Sequence, residues 1–232
     1  MNSLFKKNYK DFINEFLLNG YRVVMFDSFD LSKKNQLILR HDIDFDIKAA
    51  YEIAVIEHEL NVKSTFFFLL RGDFYNLINS ENYDLVKKIE SLGHKISLHY
   101  DIEIYTDPKK ELIAEIKIFE DFFNTKIDII SIHRPSKDFL KNPNNYFNVP
   151  NTYENKYFKQ ISYFADSGGR FRFGNPLESP DYKLNHNIQL LTHPIWWTSS
   201  LSSVDDILNQ LIKSRKSDLK LLLGKNVKTF QK

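Results

Sequence analysis

Short apolar runs that stop at ionisable residues recur along this chain. Four of them end at His41-Asp42-Ile43-Asp44, His99, His133 and His193. Apolar runs of this length are typical of buried strands. In α/β proteins, the carboxyl ends of parallel strands carry the chemistry. The pattern therefore predicts four strands that deliver metal-binding or acid/base side chains to one rim.

Segments with helical periodicity separate these runs. The predicted strands are 21–26, 36–40, 64–70, 95–99, 127–133 and 188–192, and the predicted helices begin near Tyr9, Ile47, Ser80, Pro108 and Ser203. Ser80 is expected to cap its helix, which runs through Leu92 to the stop signal Gly93, and the last helix is expected to end at Lys213. This alternation predicts βαβ crossovers and a mostly parallel sheet, either open or closed, with a closed or distorted barrel favoured.

From Pro135 to Pro180 the periodicity is lost in Asn, Pro, Gly and aromatic residues. A compact domain usually keeps such a long irregular region for substrate contacts. The chain contains no internal repeat, low-complexity tract or linker. We therefore expect residues 1–232 to form a single catalytic domain.

Composition narrows the function classes. The 32 basic and 30 acidic residues give a net charge of +2 without a basic block that would track a phosphate backbone, so nucleic acid is not an expected partner. Cysteine is absent, so any metal must be bound by imidazole and carboxylate groups. Charged residues interrupt the N-terminal segment and no apolar run approaches the ~20 residues that span a bilayer, so we expect a cytoplasmic protein without a membrane span.

Asp42 and Asp44 are two residues apart, so a continuing strand would point both carboxylates to one face. One carboxylate would then bind a metal while the other acts as a base. The alternative is a solvated turn between a strand and a helix, in which Asp46 caps the helix. A function is favoured for the pair because carboxylates beside a histidine at the end of a buried strand are costly without one.

His99 is a candidate metal ligand, with Asp101 and Glu103 as further oxygen donors nearby. His133 is a ligand of the metal, a contact of the substrate or a partner of the loop backbone, and the sequence leaves these three open. Arg134 is a candidate to hold Asp42 by a forked hydrogen bond, since guanidinium groups do not deprotonate. The alternative for Arg134 is a surface salt bridge, which contributes ~0–1 kcal/mol.

His193 precedes Pro194, which keeps the backbone of the histidine extended. Trp196 and Trp197 follow, and such rings either stack on sugars or pack in the core. The Gly168-Gly169 pair is interpreted as a tight turn that lets Asp166 and Arg170 approach the site.

In their order along the chain, these motifs resemble the polysaccharide deacetylases of the NodB-homology type, carbohydrate esterase family 4. Within that family, the chain resembles a divergent member of the surface-glycan biosynthesis group. The five matching segments are Arg40-His41-Asp42-Ile43-Asp44, Gly93 to His99, Arg134-Pro135, Asp166 to Arg170, and Leu191 to Pro194. The resemblance covers the chain from Leu37 to Trp197.

The resemblance implies a distorted (β/α) barrel of about seven strands and a metal-dependent site. Asp42 corresponds to the catalytic base, Asp44 and His99 to metal ligands, and His193 to the general acid. The family's second metal histidine falls on Glu103, so the third ligand is left open between Glu103, Asp101 and His133. The aspartates are also separated by Ile43, so which of them is the base is open. Zn²⁺ is the expected ion, with Mn²⁺ and Co²⁺ as alternatives.

The leading hypothesis is a hydrolase that removes the N-acetyl group from an amino sugar in a glycan or glycan precursor. Asp166, Arg170, Trp196 and Trp197 are the expected substrate contacts. A second hypothesis keeps the metal but makes the substrate a small cyclic amide or ureide. A third is a non-catalytic glycan-binding protein that has lost a working metal site.

Overall fold

Seven parallel strands form one curved sheet in a computed structural model that describes residues 8–230. The strands are β1 (Arg22–Val24), β2 (Gln36–Ile43), β3 (Thr65–Leu69), β4 (Lys95–Asp101), β5 (Ser131–His133), β6 (Ser162–Ala165) and β7 (Ile188–Thr192). Their order is β5-β4-β3-β2-β7-β6, and β1 pairs with the first residues of β2. The curled parallel sheet confirms the predicted distorted (β/α) barrel of about seven strands.

Eight helices connect or flank these strands within the described residues. They are α1 (Tyr9–Leu18), α2 (Ile47–Glu59), α3 (Ser80–Ser91), α4 (Pro108–Phe123), α5 (Lys137–Lys141), α6 (Asn155–Phe158), α7 (Pro180–Lys183) and α8 (Val204–Asn226). None of the helices in residues 8–230 combines the length and apolar character that crossing a membrane requires. The first seven and last two residues of the expected domain, including the start of the charged N-terminal segment, lie outside the described residues.

Local signals set most helix ends. The side chains of Asp46 and Asp107 accept hydrogen bonds from backbone N–H groups in the first turns of α2 and α4. The cap of α3 is Asn79 and not Ser80 as expected from the sequence, because the Asn79 side chain accepts from the backbone N–H of Asn82. Gly93 follows α3 with a φ of +92°, a left-handed conformation that glycine adopts without strain.

Several boundaries differ from the predictions, among them the end of β2, which lies at Ile43 and not at Arg40. β5 is limited to three residues, β6 lies inside the region expected to be irregular, and α8 continues well past Lys213 to Asn226. A short strand among loops has no alternation to reveal it.

The two faces of β2 explain where the core ends and the site begins. Leu37, Leu39 and Ile43 pack towards the helices as part of the main hydrophobic core. Ile38 points to the other face, where it belongs to a second apolar cluster with Phe67 and three further residues, Phe26, Ile129 and Tyr157. Later positions on this same face are ionisable. The second cluster therefore fills the interior of the curved sheet below the polar strand ends.

Gly169 provides a test of the packing around the turn that follows β6. Its φ is +72°, and an added Cβ would lie 2.4 Å from Cγ2 of Val204. We expect Gly169→Ala to lower the free energy of unfolding by about 2–4 kcal/mol, since strain and overpacking add. Urea denaturation measures this loss.

Gly174→Ala is the matched control. Gly174 has a φ of +94° but no atom within 4 Å of an added Cβ, so its substitution introduces backbone strain alone. The expected cost is about 1 kcal/mol. Equal losses in the two variants would contradict the close approach of Gly169 to Val204.

Candidate metal and acid/base site

The site lies at the carboxyl ends of the strands, over the polar part of the sheet interior. A cavity of about 340 Å³ opens there, and a second cleft of about 790 Å³ borders it through Asp44, Phe45 and His133. The ionisable side chains that line the smaller cavity are Asp42, Asp44, His99, His133, Arg134, Arg172 and His193. The structure thus brings the four predicted strand ends to one rim.

Asp44, His99 and His133 form a group of three potential metal ligands. Oδ1 of Asp44 lies 3.2 Å from Nε2 of His99 and 3.5 Å from Nδ1 of His133. The two imidazole nitrogens are 3.1 Å apart. Asp44 follows β2, His99 is in β4 and His133 ends β5, so three different strands position the group.

These three distances fit a small divalent ion. Ligand atoms ~2.0–2.1 Å from a tetrahedral Zn²⁺ lie roughly 3.3 Å from one another, which matches the spacing of the trio. Burial opposes the charge on Asp44, but hydrogen bonds from His133 and His99 and the nearby ring of His193 hold the pKa of Asp44 well below its usual range. An anionic oxygen and two imidazole nitrogens form a donor set suited to Zn²⁺.

Asp42 lies beside this trio and is only 3% exposed. Its Oδ2 accepts hydrogen bonds from Arg40 and from the hydroxyl of Ser131, each at 3.0 Å. Its Oδ1 is buried and accepts no hydrogen bond from residues 8–230. The carboxylate is therefore fixed by one oxygen and keeps the other available.

Arg40 is a residue of the candidate site that the sequence did not single out. It is fully buried, donates to Gln189 at 3.1 Å and to the hydroxyl of Tyr153 at 3.2 Å, and lies over the Tyr153 ring. The signal was an arginine inside an apolar strand, two residues before Asp42 and hence on the same face. A charge at that position requires a buried partner.

The prediction that Arg134 holds Asp42 is wrong. Arg134 donates to Asp101 at 2.6 Å, and its side chain is 61% exposed. Its φ of +47° lies in the left-handed region, which turns the chain sharply after β5. Arg40 occupies the position beside Asp42 instead.

Glu103 is not part of the ligand group. It lies exposed in a 3₁₀ turn, Ile102–Ile104, and its backbone N–H donates to Asp101. Asp101 in turn is engaged by Arg134, and its Oδ2 is 3.9 Å from Nε2 of His133. Of the three candidates for the third ligand, the geometry favours His133.

His193 and Asp166 form a buried pair opposite the trio. Nδ1 of His193 lies 2.6 Å from Oδ1 of Asp166, and Nε2 of His193 is 3.6 Å from Oδ2 of Asp44. The indole N–H of Trp197 donates to the other Asp166 oxygen at 2.7 Å. Burial disfavours the charged ring, but the Asp166 carboxylate outweighs it and raises the pKa of His193 to about 9. Nε2, the ring nitrogen that Asp166 does not engage, lies on the side of Asp44.

The four residues expected to contact the substrate have different positions. Trp196 lines the cavity, and its buried indole N–H has no hydrogen-bond partner within residues 8–230. Asp166 lies fully buried behind His193, and Trp197 stacks on Phe12 with ring centroids 4.7 Å apart. Arg170 is exposed, and it does not line either cavity. Only Trp196 is therefore in a position to touch a ligand in the cavity.

A second buried polar network lies on the opposite face of β2. Nε2 of His41 is 2.9 Å from Glu57, and Nδ1 of His41 is 2.7 Å from the hydroxyl of Thr192. Burial opposes the charge of Glu57, but His41 outweighs this and holds the pKa of Glu57 below its usual range. The network ties β2 to β7 immediately below Asp42 and His193.

Comparisons with family models and with curated proteins gave no match to this sequence. Several solved structures are similar to the chain. A family 4 carbohydrate esterase from Bacillus anthracis is 18% identical over 94% of each chain, with a TM-score of 0.46. A chitin deacetylase from Colletotrichum lindemuthianum is 16% identical over 83% of this chain and 86% of its own, with a TM-score of 0.44.

A third similar structure is described as a family 4 pseudoenzyme, also from Bacillus anthracis. It is 17% identical over 78% of this chain and 62% of its own, with a TM-score of 0.42.

Arg40 and Arg134 make a stability test. Arg40→Met leaves the Asp42 charge buried beside an apolar side chain, so we expect a loss of about 3–5 kcal/mol in the free energy of unfolding. Arg134→Met breaks an exposed pair and is expected to cost less than about 1 kcal/mol. Chemical denaturation of both variants measures the difference.

The double variant Arg40→Met/Asp42→Leu sharpens this test, since it removes both buried charges. It is expected to regain part of the stability lost in Arg40→Met, because the uncompensated carboxylate is gone. No recovery in the double variant, or a larger loss from Arg134→Met than from Arg40→Met, would contradict the pairing of Arg40 with Asp42.

Proposed function

We propose that this protein is a metal-dependent hydrolase that removes N-acetyl groups from an amino sugar in a glycan or glycan precursor, with residues 1–232 as its catalytic domain. The observation that carries the proposal is the Asp44, His99 and His133 trio, with the Asp42 carboxylate on one side and the Asp166–His193 pair facing it. Amide hydrolysis needs this combination of an electrophile-binding group, a base and an acid.

Asp44, His99 and His133 would hold the divalent ion, which leaves coordination positions for other ligands. When bound, such an ion supplies a Lewis acid that polarises the acetyl carbonyl and lowers the pKa of water. The donor set favours Zn²⁺, with Mn²⁺ and Co²⁺ as alternatives.

Asp42 is assigned as the general base. Arg40 and Ser131 hold one of its oxygens, so the carboxylate cannot rotate away from the cavity. The free Oδ1 accepts the proton of the attacking water. The contacts of Asp44 with both histidines support its role as the ligand, and hence the role of Asp42 as the base.

His193 is assigned as the general acid. Asp166 accepts a hydrogen bond from Nδ1–H and orients the ring, which leaves the Nε2 proton for the leaving amine. Trp197 donates to Asp166 and thereby keeps this carboxylate from turning. Trp196, in the cavity wall, is the candidate contact for the sugar.

Metal content is the first test of the proposal. The parent protein, purified without chelator, is expected to bind about one divalent ion per chain. The variants Asp44→Ala, His99→Ala and His133→Ala are each expected to lose it, as measured by elemental analysis and Zn²⁺ titration.

Glu103→Ala is the matched control, because Glu103 is a nearby carboxylate outside the trio. It is expected to retain the ion. Absence of metal uptake by the parent would contradict the hydrolase proposal and favour the hypothesis of a glycan-binding protein. Loss of metal in Glu103→Ala with retention in His133→Ala would instead return the third ligand to Glu103.

Turnover tests the acid. His193→Ala is expected to keep its metal but to lower kcat by ~10² or more for release of acetate from N-acetylated amino sugars. Asp166→Asn should lower kcat in the same direction, since it removes the negative charge that favours the protonated His193 ring. His186→Ala, at an exposed histidine paired with Asp181, is the control and is expected to leave kcat unchanged.

The same assay separates the substrate classes. Hydrolysis of cyclic amides or ureides, with no acetate released from any N-acetylated sugar, would favour the second hydrolase hypothesis. Unchanged turnover of an active parent in His193→Ala would remove this residue from the mechanism.

A further inference from the structure

The last turns of α8 carry an apolar stripe that the rest of the described chain leaves uncovered. Ile212, Leu219, Leu222 and Leu223 are 63%, 57%, 54% and 37% exposed. Their spacing of seven, three and one places them on one side of the helix. A stripe of this size on a projecting helix favours an interaction surface over scattered surface leucines.

Among residues 8–230, the contacts of α8 with the rest of the protein are made by its first half. Ile207 is buried in a groove that Ala49 and Glu52 of α2 also line. Further along, Arg215 donates to the backbone carbonyl of Phe45 and lies 3.5 Å from Asp46. Beyond Arg215 the helix continues to Asn226 with every large apolar side chain exposed.

Charge is distributed less evenly than the net value of +2 suggests. Residues 213–228 contain six basic residues and one acidic residue, so the rest of the chain is net acidic. On a helical projection, Lys213, Lys216 and Lys220 border one edge of the apolar stripe and Lys225 borders the other. Lysines at the edges of an apolar stripe are typical of helices that lie in a membrane interface.

We propose that residues 213–226, the C-terminal part of α8, form an interfacial helix that docks on the surface of an anionic membrane. The leucine stripe inserts at the level of the acyl chains and the flanking lysines contact lipid phosphates. Charge complementarity selects this occupant. A second copy of the chain would bring two basic segments together, whereas an anionic lipid surface neutralises them.

The direction of α8 gives the docking a consequence for the site. The helix runs from the middle of α2 towards its first turn and passes Phe45, which lines both cavities. Phe74, 52% exposed, packs on Phe45 at the same rim. A docked α8 therefore holds the rim with the cavity close to the membrane, which suits a substrate attached to lipid.

Vesicle flotation with the full chain tests the proposal without any substrate. The parent is expected to float with vesicles of phosphatidylcholine and phosphatidylglycerol and not with phosphatidylcholine alone, and added salt should weaken binding. Two triple variants are expected to lower the partition coefficient more than about tenfold. They are Leu219→Ser/Leu222→Ser/Leu223→Ser and Lys213→Gln/Lys216→Gln/Lys220→Gln.

The control for the lysine variant replaces three exposed lysines outside α8. It is Lys126→Gln/Lys137→Gln/Lys159→Gln. The apolar control is Ile113→Ser, which replaces a 69% exposed residue on α4. Both controls should float like the parent, and far-UV circular dichroism should show that all variants keep their helices. The leucines and lysines are exposed, so these variants are expected to fold.

Three results would overturn the proposal. The first is a parent that does not float with anionic vesicles. The second is binding that both α8 variants retain, which would assign the membrane contact to another surface. The third is a dimer in sedimentation velocity that the leucine variant abolishes while vesicle binding is absent, which would make a second copy the occupant.

Discussion

Strand β2 brings three consecutive ionisable residues into the protein interior, and the surrounding structure depends on how they are paired. Arg40 and His41 are fully buried and Asp42 nearly so. An isolated buried charge costs several kcal/mol, so each of these side chains requires a partner within hydrogen-bond distance. Alternation along the strand divides them, with Arg40 and Asp42 on the interior face and His41 on the helix face.

The ionisable side chains on the two faces of β2 find their hydrogen-bond partners in different elements, and these bonds connect the strands that form the site. On the interior face, Arg40 and Asp42 engage Gln189 of β7 and Ser131 of β5. On the helix face, His41 engages Glu57 of α2 and Thr192 of β7. Thr192 directly precedes His193, so the strand that carries Asp42 is hydrogen-bonded to the strand that leads into His193. Breaking either hydrogen-bond network would therefore disturb the positions of both Asp42 and His193.

Local features of the sequence predicted the elements but not their partners. The bounds of β7 are those predicted, because its apolar run lies between a polar loop and His193-Pro194. Asp166 was recognised as a candidate, yet its position behind His193 depends on the pairing of β6 with β7. Arg40 was missed because its partner Tyr153 is more than a hundred residues away, and no local pattern links the two.

Strand register explains how this chain brings three potential metal ligands together although Glu103 lies apart from them. β4 and β5 are parallel, with His99 opposite Ser131 and Asp101 opposite His133. His133 therefore shares a face with His99 and lies one pleat further towards the rim, which is where Asp44 extends past the end of β2. A residue four positions after His99 leaves the strand and enters the 3₁₀ turn, where its side chain is exposed. Strand β5 thus adds the His133 nitrogen to the group of potential ligands, whereas Glu103 in the turn takes no part in it.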